Sequence, residues 1–174
     1  IAAAANAPFV PLWEQSVWQR WVANLAMPAA LGLVVFGVGI ANPLSFGGHK
    51  DGFDPDHPGV AGVVRHPLLW GLALWSGVHM LVNGDLAHVI LFGIFAGFSL
   101  LGMVAIDRRF QRQMGRAEWQ ALARSTSTWP FAAVFQRRWR PTSWPSLPRM
   151  FLAVIVWLCV LLFHTPFIGV SPLP

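Results

Sequence analysis

Four long apolar stretches, interrupted by polar and turn-rich segments, set the pattern of this chain: residues 22–41, 67–83, 86–106 and 150–168. A helix crosses a bilayer with about 20 mostly apolar residues and manages with about 17. All four stretches meet that requirement, so the pattern predicts an all-α, polytopic transmembrane helix bundle with four spans in one membrane domain covering residues 1–174. The first stretch contains Pro28, which a membrane helix tolerates because neighbouring groups satisfy the freed carbonyl. Only Gly84 and Asp85 separate the second stretch from the third, so these two must form an antiparallel hairpin. Residues 1–5 are apolar, with no initial Met. They read as the tail of an apolar helix, and we expect further N-terminal spans upstream. A signal peptide is not expected, because no basic region precedes the apolar run.

The polar segments set an orientation. Residues 107–149 carry nine Arg against two acids, Asp107 and Glu118, whereas the hairpin tip carries Asp85 and no Lys or Arg. The positive-inside rule makes the Arg-rich segment a cytoplasmic loop. The hairpin tip, the residue-1 end and the tail 171–174 then lie outside. Within the loop, residues 117–123 are expected to form a short interfacial helix anchored by Trp119 and ended by the Ser/Thr run before Pro130. The other cytoplasmic loop, 42–64, is rich in turn signals: Gly47-Gly48, Asp54-Pro55 and His57-Pro58-Gly59.

Composition strengthens the membrane reading. Of 174 residues, 55% are hydrophobic and 11% charged, against about 25% charged in a soluble domain. Such a chain needs lipid as its solvent, so the bilayer is the expected partner. Ten Trp suit interfacial belts. Trp13, Trp18 and Trp21 precede the first span, and Trp139 and Trp144 precede the fourth. Cys159 stands alone, which excludes an internal disulfide, a zinc ribbon and covalent c-type haem attachment. The high isoelectric point, about 11.4, is first a topology signal, and no nucleic-acid partner is expected.

Candidate chemistry rests on six His. His49 and His57 fall in the turn-rich loop and read as solvated. His79 lies inside the second span, flanked by the small residues Ser76 and Gly77. An ionisable side chain at membrane depth is a functional candidate, because burying it without a partner is costly. His164 lies late in the fourth span and approaches the same outer level. Each is a candidate cofactor ligand, with His79 the candidate metal ligand. Against this stands a plain alternative for His79, a ring bonded to a backbone carbonyl or to Asn83. His66 is 13 residues from His79, about 20 Å along a helix, so the two cannot share a metal. Arg65-His66-Pro67 reads as an interfacial helix start, with Arg65 free to meet a lipid phosphate or a polar ligand edge, and His66 and Arg65 join His79 and His164 as candidate cofactor-binding residues. Asp85 is placed to cap the third span beside His88. Gly93 and Gly97 are spaced for close helix approach.

The run Arg65-His66-Pro67-Leu68-Leu69-Trp70-Gly71, followed by Leu74-Trp75-Ser76-Gly77-Val78-His79-Met80-Leu81-Val82-Asn83-Gly84-Asp85, resembles the signature of the NnrU family. The resemblance extends to Ala7-Pro8-Phe9-Val10-Pro11-Leu12-Trp13, Asn42-Pro43-Leu44-Ser45, Pro130-Phe131-Ala132 and Gly169-Val170-Ser171-Pro172-Leu173. It implies a multi-pass protein of the bacterial inner membrane, associated with nitrite and nitric oxide metabolism. It also implies kinship with the haem-b enzyme 15-cis-zeta-carotene isomerase. Carried over by position, His79 matches an axial haem ligand. His66 matches a histidine that matters there without ligating the iron. The second axial histidine of those relatives lies in an earlier helix that this sequence does not contain. His164 is a substitute that the resemblance does not require. The implied activity is haem-dependent cis–trans isomerisation of a polyene or carotenoid. The alternative is a non-catalytic subunit or assembly factor of a larger denitrification, respiratory or photosynthetic membrane complex, where such a His ligates a chlorin.

Overall fold

Each long apolar stretch becomes one helix, and the local capping chemistry moves the ends. The computed structural model describes residues 2–174. Its elements are α1 (Ala2–Ala5), α2 (Val17–Gly37), α3 (Val60–Val63), α4 (Pro67–Asn83), α5 (Leu86–Met114), α6 (Arg116–Ala123), α7 (Ala132–Phe135) and α8 (Leu147–Ile168). The expected helix tail at residues 1–5 is α1, apart from residue 1, which lies outside the described residues.

α2 starts five residues earlier than expected, because Gln19 turns back to accept a hydrogen bond from the Ser16 N–H at 2.6 Å and so caps the helix start. It stops four residues early, where Val38 turns extended and Gly39 takes a φ of +61°. α4 has the expected bounds. Pro67 opens it, since the missing N–H is one that a first turn leaves unpaired anyway. Gly84, at φ +67°, closes it. Asp85 caps α5 as expected, accepting from the His88 N–H at 3.2 Å. α5 runs eight residues past the expected end, to 29 residues. At about 1.5 Å per residue it is about 43 Å long, more than the ~30 Å hydrocarbon core. Its last turns therefore carry Asp107 and the arginines that follow clear of the apolar layer.

The four-span expectation is met in part. α2, α5 and α8 are long and apolar enough to cross a membrane. α4 is shorter, at 17 residues. It packs between α2 and α5, while α8 leans on α2. The spatial order is thus α8, α2, α4, α5, and α4 and α8 are both held by α2 without forming a substantial interface with each other.

Close helix approach occurs elsewhere than the glycine spacing suggested. Gly97 faces open space, and Gly93 has only the Met80 Sδ nearby. Gly37 meets Pro67 on α4, and Gly71 meets α2: a Cβ at Gly71 would lie 2.8 Å from Val34 Cγ2 and 2.9 Å from the Ala30 carbonyl oxygen. A backbone oxygen cannot rotate away. Gly71→Ala should therefore lower the thermal midpoint in detergent, with the overpacking costing about 1–3 kcal/mol. Gly97→Ala should leave the midpoint unchanged or raise it through helix propensity. Equal midpoints for the two variants would contradict the close α2–α4 contact.

The ends of the bundle sort as the arginine pattern suggested. Leu12 donates its N–H to Gly84 O at 2.8 Å, and Leu86 donates to Val10 O at 2.9 Å. These bonds fold the segment before α2 onto the hairpin tip. The C-terminal tail reaches the same end. At the opposite end Arg149 donates to Val35 O and Phe36 O at 3.2 and 3.1 Å, fastening the Arg-rich segment under the end of α2. The densest packing is also at this end, where Leu44, Val64, His66 and Ala133 are fully buried. Two Trp placements differ from expectation. Trp119 lies under the Arg65 guanidinium, 4.8 Å from its centre, and Trp139 covers Gly62. Both aromatic faces serve packing there and do not act as simple interfacial anchors.

Candidate functional site

Because α4 and α8 share only α2 as a common neighbour, a slot of about 700 Å³ stays open between them at the hairpin-tip end. Its lining follows helical spacing: Trp75, His79 and Val82 on α4, and Trp157, Leu161 and His164 on α8. The walls are mainly apolar. Polar lining is added by Arg20 and Asn24 on α2, by Asn83 and by His88.

His79 and His164 face each other across this slot with ring centres 6.4 Å apart and ring planes inclined at 32°. The expectation that they share a level is met. The His79 Nδ1 lies 2.7 Å from the Trp75 carbonyl oxygen. A carbonyl only accepts, so this nitrogen carries the proton and Nε2 keeps its lone pair. The plain alternative for His79, a carbonyl-bonded ring, is thus present and occupies one nitrogen only. Asn83 Nδ2 donates at 2.6 Å to the His79 backbone oxygen, not to the ring. Trp75 and Phe92 flank the ring with centres at 5.0 and 5.2 Å.

His164 is held in the same tautomer. Gly169, at φ +83°, ends α8 and turns the chain back, a conformation that suits a residue without Cβ. The turn brings Val170 O to within 2.7 Å of the His164 Nδ1. The tail then continues across the slot's end, where Asn24 Nδ2 donates to Pro172 O at 2.7 Å and Arg20 to Leu173 O at 3.3 Å. A third imidazole lines the slot. His88 is bonded through Nδ1 to Asp85 at 2.6 Å and stacks on Phe92 at 6.2 Å.

Arg65 and His66 do not line this slot. They belong to a separate buried cluster at the Arg-rich end. Arg65 is 6% exposed. Its guanidinium donates to Asp107 at 2.5 Å, to Thr126 Oγ1 at 2.9 Å and to Thr128 Oγ1 at 3.3 Å. Burial pulls the Arg65 guanidinium below its ordinary pKa, and the Asp107 charge opposes that shift. His66 Nε2 is 3.2 Å from the other Asp107 oxygen, and its buried Nδ1 has no hydrogen-bond partner. Arg65 therefore meets protein groups here, not lipid phosphate, and His66 is a sealed helix start, not a wet one. His57 stays in the exposed loop as expected, its pKa raised by the hydrogen bond to Asp54. Among the described residues no cluster of three or more His, Cys, Asp or Glu could hold a metal ion.

Sequence reasoning missed Arg20, Asn24 and the role of Asp107. Arg20 carried a usable signal: it is the lone Arg or Lys at an end of the bundle otherwise without them. Asp107 was counted only as a minor acid among arginines, and its partners lie 41 and 42 residues away in the chain.

No curated protein and no solved structure matches the chain. The family described as NnrU protein matches residues 1–172, the hairpin signature and the tail that straps the slot included, and the chain belongs to the NnrU family.

Proposed function

We propose that this NnrU-family chain binds haem b in the α4–α8 slot and uses it on an apolar polyene. The carrying observation is the state of His79: its ring is oriented by the Trp75 carbonyl, and its Nε2 is unengaged beside a mainly apolar cavity. A ligating His commonly has its other nitrogen bonded to a carbonyl or carboxylate, which fixes tautomer and ring direction. The slot volume falls within the range of roughly 300–1,000 Å³ usual for cofactor sites. These residues fit the group.

When bound, haem b supplies a redox-active iron whose axial ligands set its reactivity. The chain's own contribution is to bind, orient and exclude water. Trp75, Phe92 and Trp157 give apolar walls that suit a macrocycle face or a polyene. Arg20 gives a positively charged end suited to carboxylates. The tail lies across that end, held by its bonds to Asn24 and Arg20. Cis–trans isomerisation is the reaction class we infer from the family resemblance. It needs no net proton or electron transfer.

A second reading is a non-catalytic subunit or assembly factor of a larger membrane complex. One observation favours it: α8 buries none of its residues within this chain, leaving a long apolar face for a partner or for lipid. We place the protein, in either reading, in a bacterial inner membrane with residues 107–149 cytoplasmic. A reduced-minus-oxidised spectrum of the purified chain tests the lead reading. The expected result is haem Soret and alpha bands at about one haem per chain. A far-red chlorin band would favour the second reading, and the absence of any chromophore would reject the haem reading.

A further inference from the structure

We propose that the α4–α8 slot admits an amphiphile from the bilayer and recognises it by a carboxylate head that binds Arg20. The inference rests on the slot being the ligand site argued above, and it concerns the ligand's head and entry, not the iron. Along the slot, polarity changes in one direction. Arg20 stands in the first turns of α2, at the hairpin-tip end. The neighbouring Trp18 and Trp21 are exposed, as residues at an interface are. Deeper along the lining come Met27 on α2, Trp75 on α4 and Trp157 on α8, all apolar walls. The α8 wall, from Trp157 to Ile168, is about 16 Å long at ~1.5 Å per residue. A charge at one end with an apolar length behind it matches a lipid in one leaflet, its head at the interface and its body in hydrocarbon.

Arg20 has donors left for such a head. Among the described residues lining the slot it carries the one fixed charge. A guanidinium has five N–H donors. Among the described residues Arg20 makes no ion pair, and its side chain makes one hydrogen bond, a long one of 3.3 Å to Leu173 O. The other amides of the lining donate to backbone carbonyls: Asn24 Nδ2 to Arg20 O and Pro172 O at 2.9 and 2.7 Å, Gln15 Nε2 to Asn83 O at 2.8 Å, and Asn83 Nδ2 to His79 O at 2.6 Å. A carboxylate fits the planar guanidinium, and bonds between charged partners are stronger than neutral ones. It therefore competes well with the Leu173 carbonyl and leaves the Asn24–Pro172 bond in place.

Entry follows from the packing. α4 and α8 share no substantial interface, and α8 buries none of its residues within the chain. The gap between the two helices is the route by which a molecule dissolved in lipid reaches Arg20 without crossing water. Two sources carry the required chemistry, a haem propionate and a long-chain polyene carboxylic acid.

The test uses the full chain in phosphatidylcholine nanodiscs. The probes are cis-parinaric acid, a fluorescent tetraene acid, and its methyl ester, with energy transfer from tryptophan reporting binding. Arg20→Gln removes the charge but keeps a donor for Leu173 O. It should weaken the acid by about tenfold, the worth of one hydrogen bond to a charged group, and leave the ester at its wild-type affinity. Unchanged ester binding also shows that the variant's slot is folded. Arg20→Lys should keep most of the affinity for the acid. Haem b and its dimethyl ester, titrated by Soret absorbance, separate the sources. If Arg20→Gln weakens haem b against its dimethyl ester and leaves parinaric acid unchanged, the head is a propionate. If it weakens parinaric acid alone, the head belongs to a free carboxylic acid. The proposal is overturned if Arg20→Gln alters neither acid, or if it weakens acid and ester in parallel, since Arg20 would then only strap the tail. Haem uptake indifferent to Arg20, together with either of those results, leaves the haem reading standing without this one. Wild-type protein that takes up no haem but binds parinaric acid through Arg20 rejects the haem reading and keeps the carboxylate site.

Discussion

Replacing His79 with alanine should strip haem from the purified chain while leaving membrane insertion intact. Alanine is the best helix former and introduces no polar group, and His79 is a mid-helix residue of α4. The Trp75 carbonyl that loses the imidazole keeps its place in the helix backbone ladder. The loss therefore falls on the cofactor and not on the fold. Even the outer partners of ligating histidines are worth about 10–100-fold in affinity, so removing the ligand itself should weaken haem binding by more than ~100-fold. Haem-to-protein ratio and the Soret band measure this directly. His57→Ala serves as the control, since His57 sits in an exposed loop bonded to Asp54. A His79→Ala protein with wild-type haem content would mean that His79 is only a carbonyl-bonded core histidine.

The largest loss of stability is expected at the opposite end of the bundle. Asp107→Ala removes the carboxylate from Arg65, which then stays buried without a counter-charge. Breaking a buried ion pair by deleting one partner costs about 3–5 kcal/mol. The same change removes the acceptor for His66 and for Thr128 Oγ1, so the cost extends beyond one pair. Asp107→Asn keeps an acceptor oxygen and should cost less. A double change, Arg65→Met with Asp107→Leu, should recover much of the loss, because a buried pair is often replaceable by apolar groups of similar size. Thermal unfolding followed by circular dichroism in detergent reads all three variants. An Asp107→Ala midpoint equal to wild type would show that the cluster is solvated. Protein that remains folded should keep the wild-type haem spectrum, because neither Arg65 nor His66 lines the slot.

These two expected signatures separate the ends of one molecule, and they also mark where sequence reasoning held. The hairpin was legible because Gly84 and Asp85 leave no other connection between two apolar runs. The bounds of α4 were legible because Pro67 and Gly84 act locally on the backbone. The ends of α2 and α5 were not. The side-chain cap from Gln19 and the emergence of α5 from the apolar layer both act against the hydrophobic run, not with it. Gly93 and Gly97 had the right spacing and the wrong face, since spacing along a helix does not say which neighbour lies beside it.

His79 and His164 could be picked from the sequence as ionisable groups at membrane depth, and placed at one level by counting residues from the bilayer edges. That much follows from rise per residue and from the cost of burying charge, both properties of the chain alone. Whether the two rings face one slot depends on how α4 and α8 are rotated about their axes and on α2 holding them apart. The tautomer of His164 depends on a turn at Gly169 that returns a carbonyl to the ring. The Arg65–Asp107 pair joins residues 42 positions apart. Those features arise from contacts between helices distant in sequence, where rotation and register are set by packing, and so only the tertiary structure decides them.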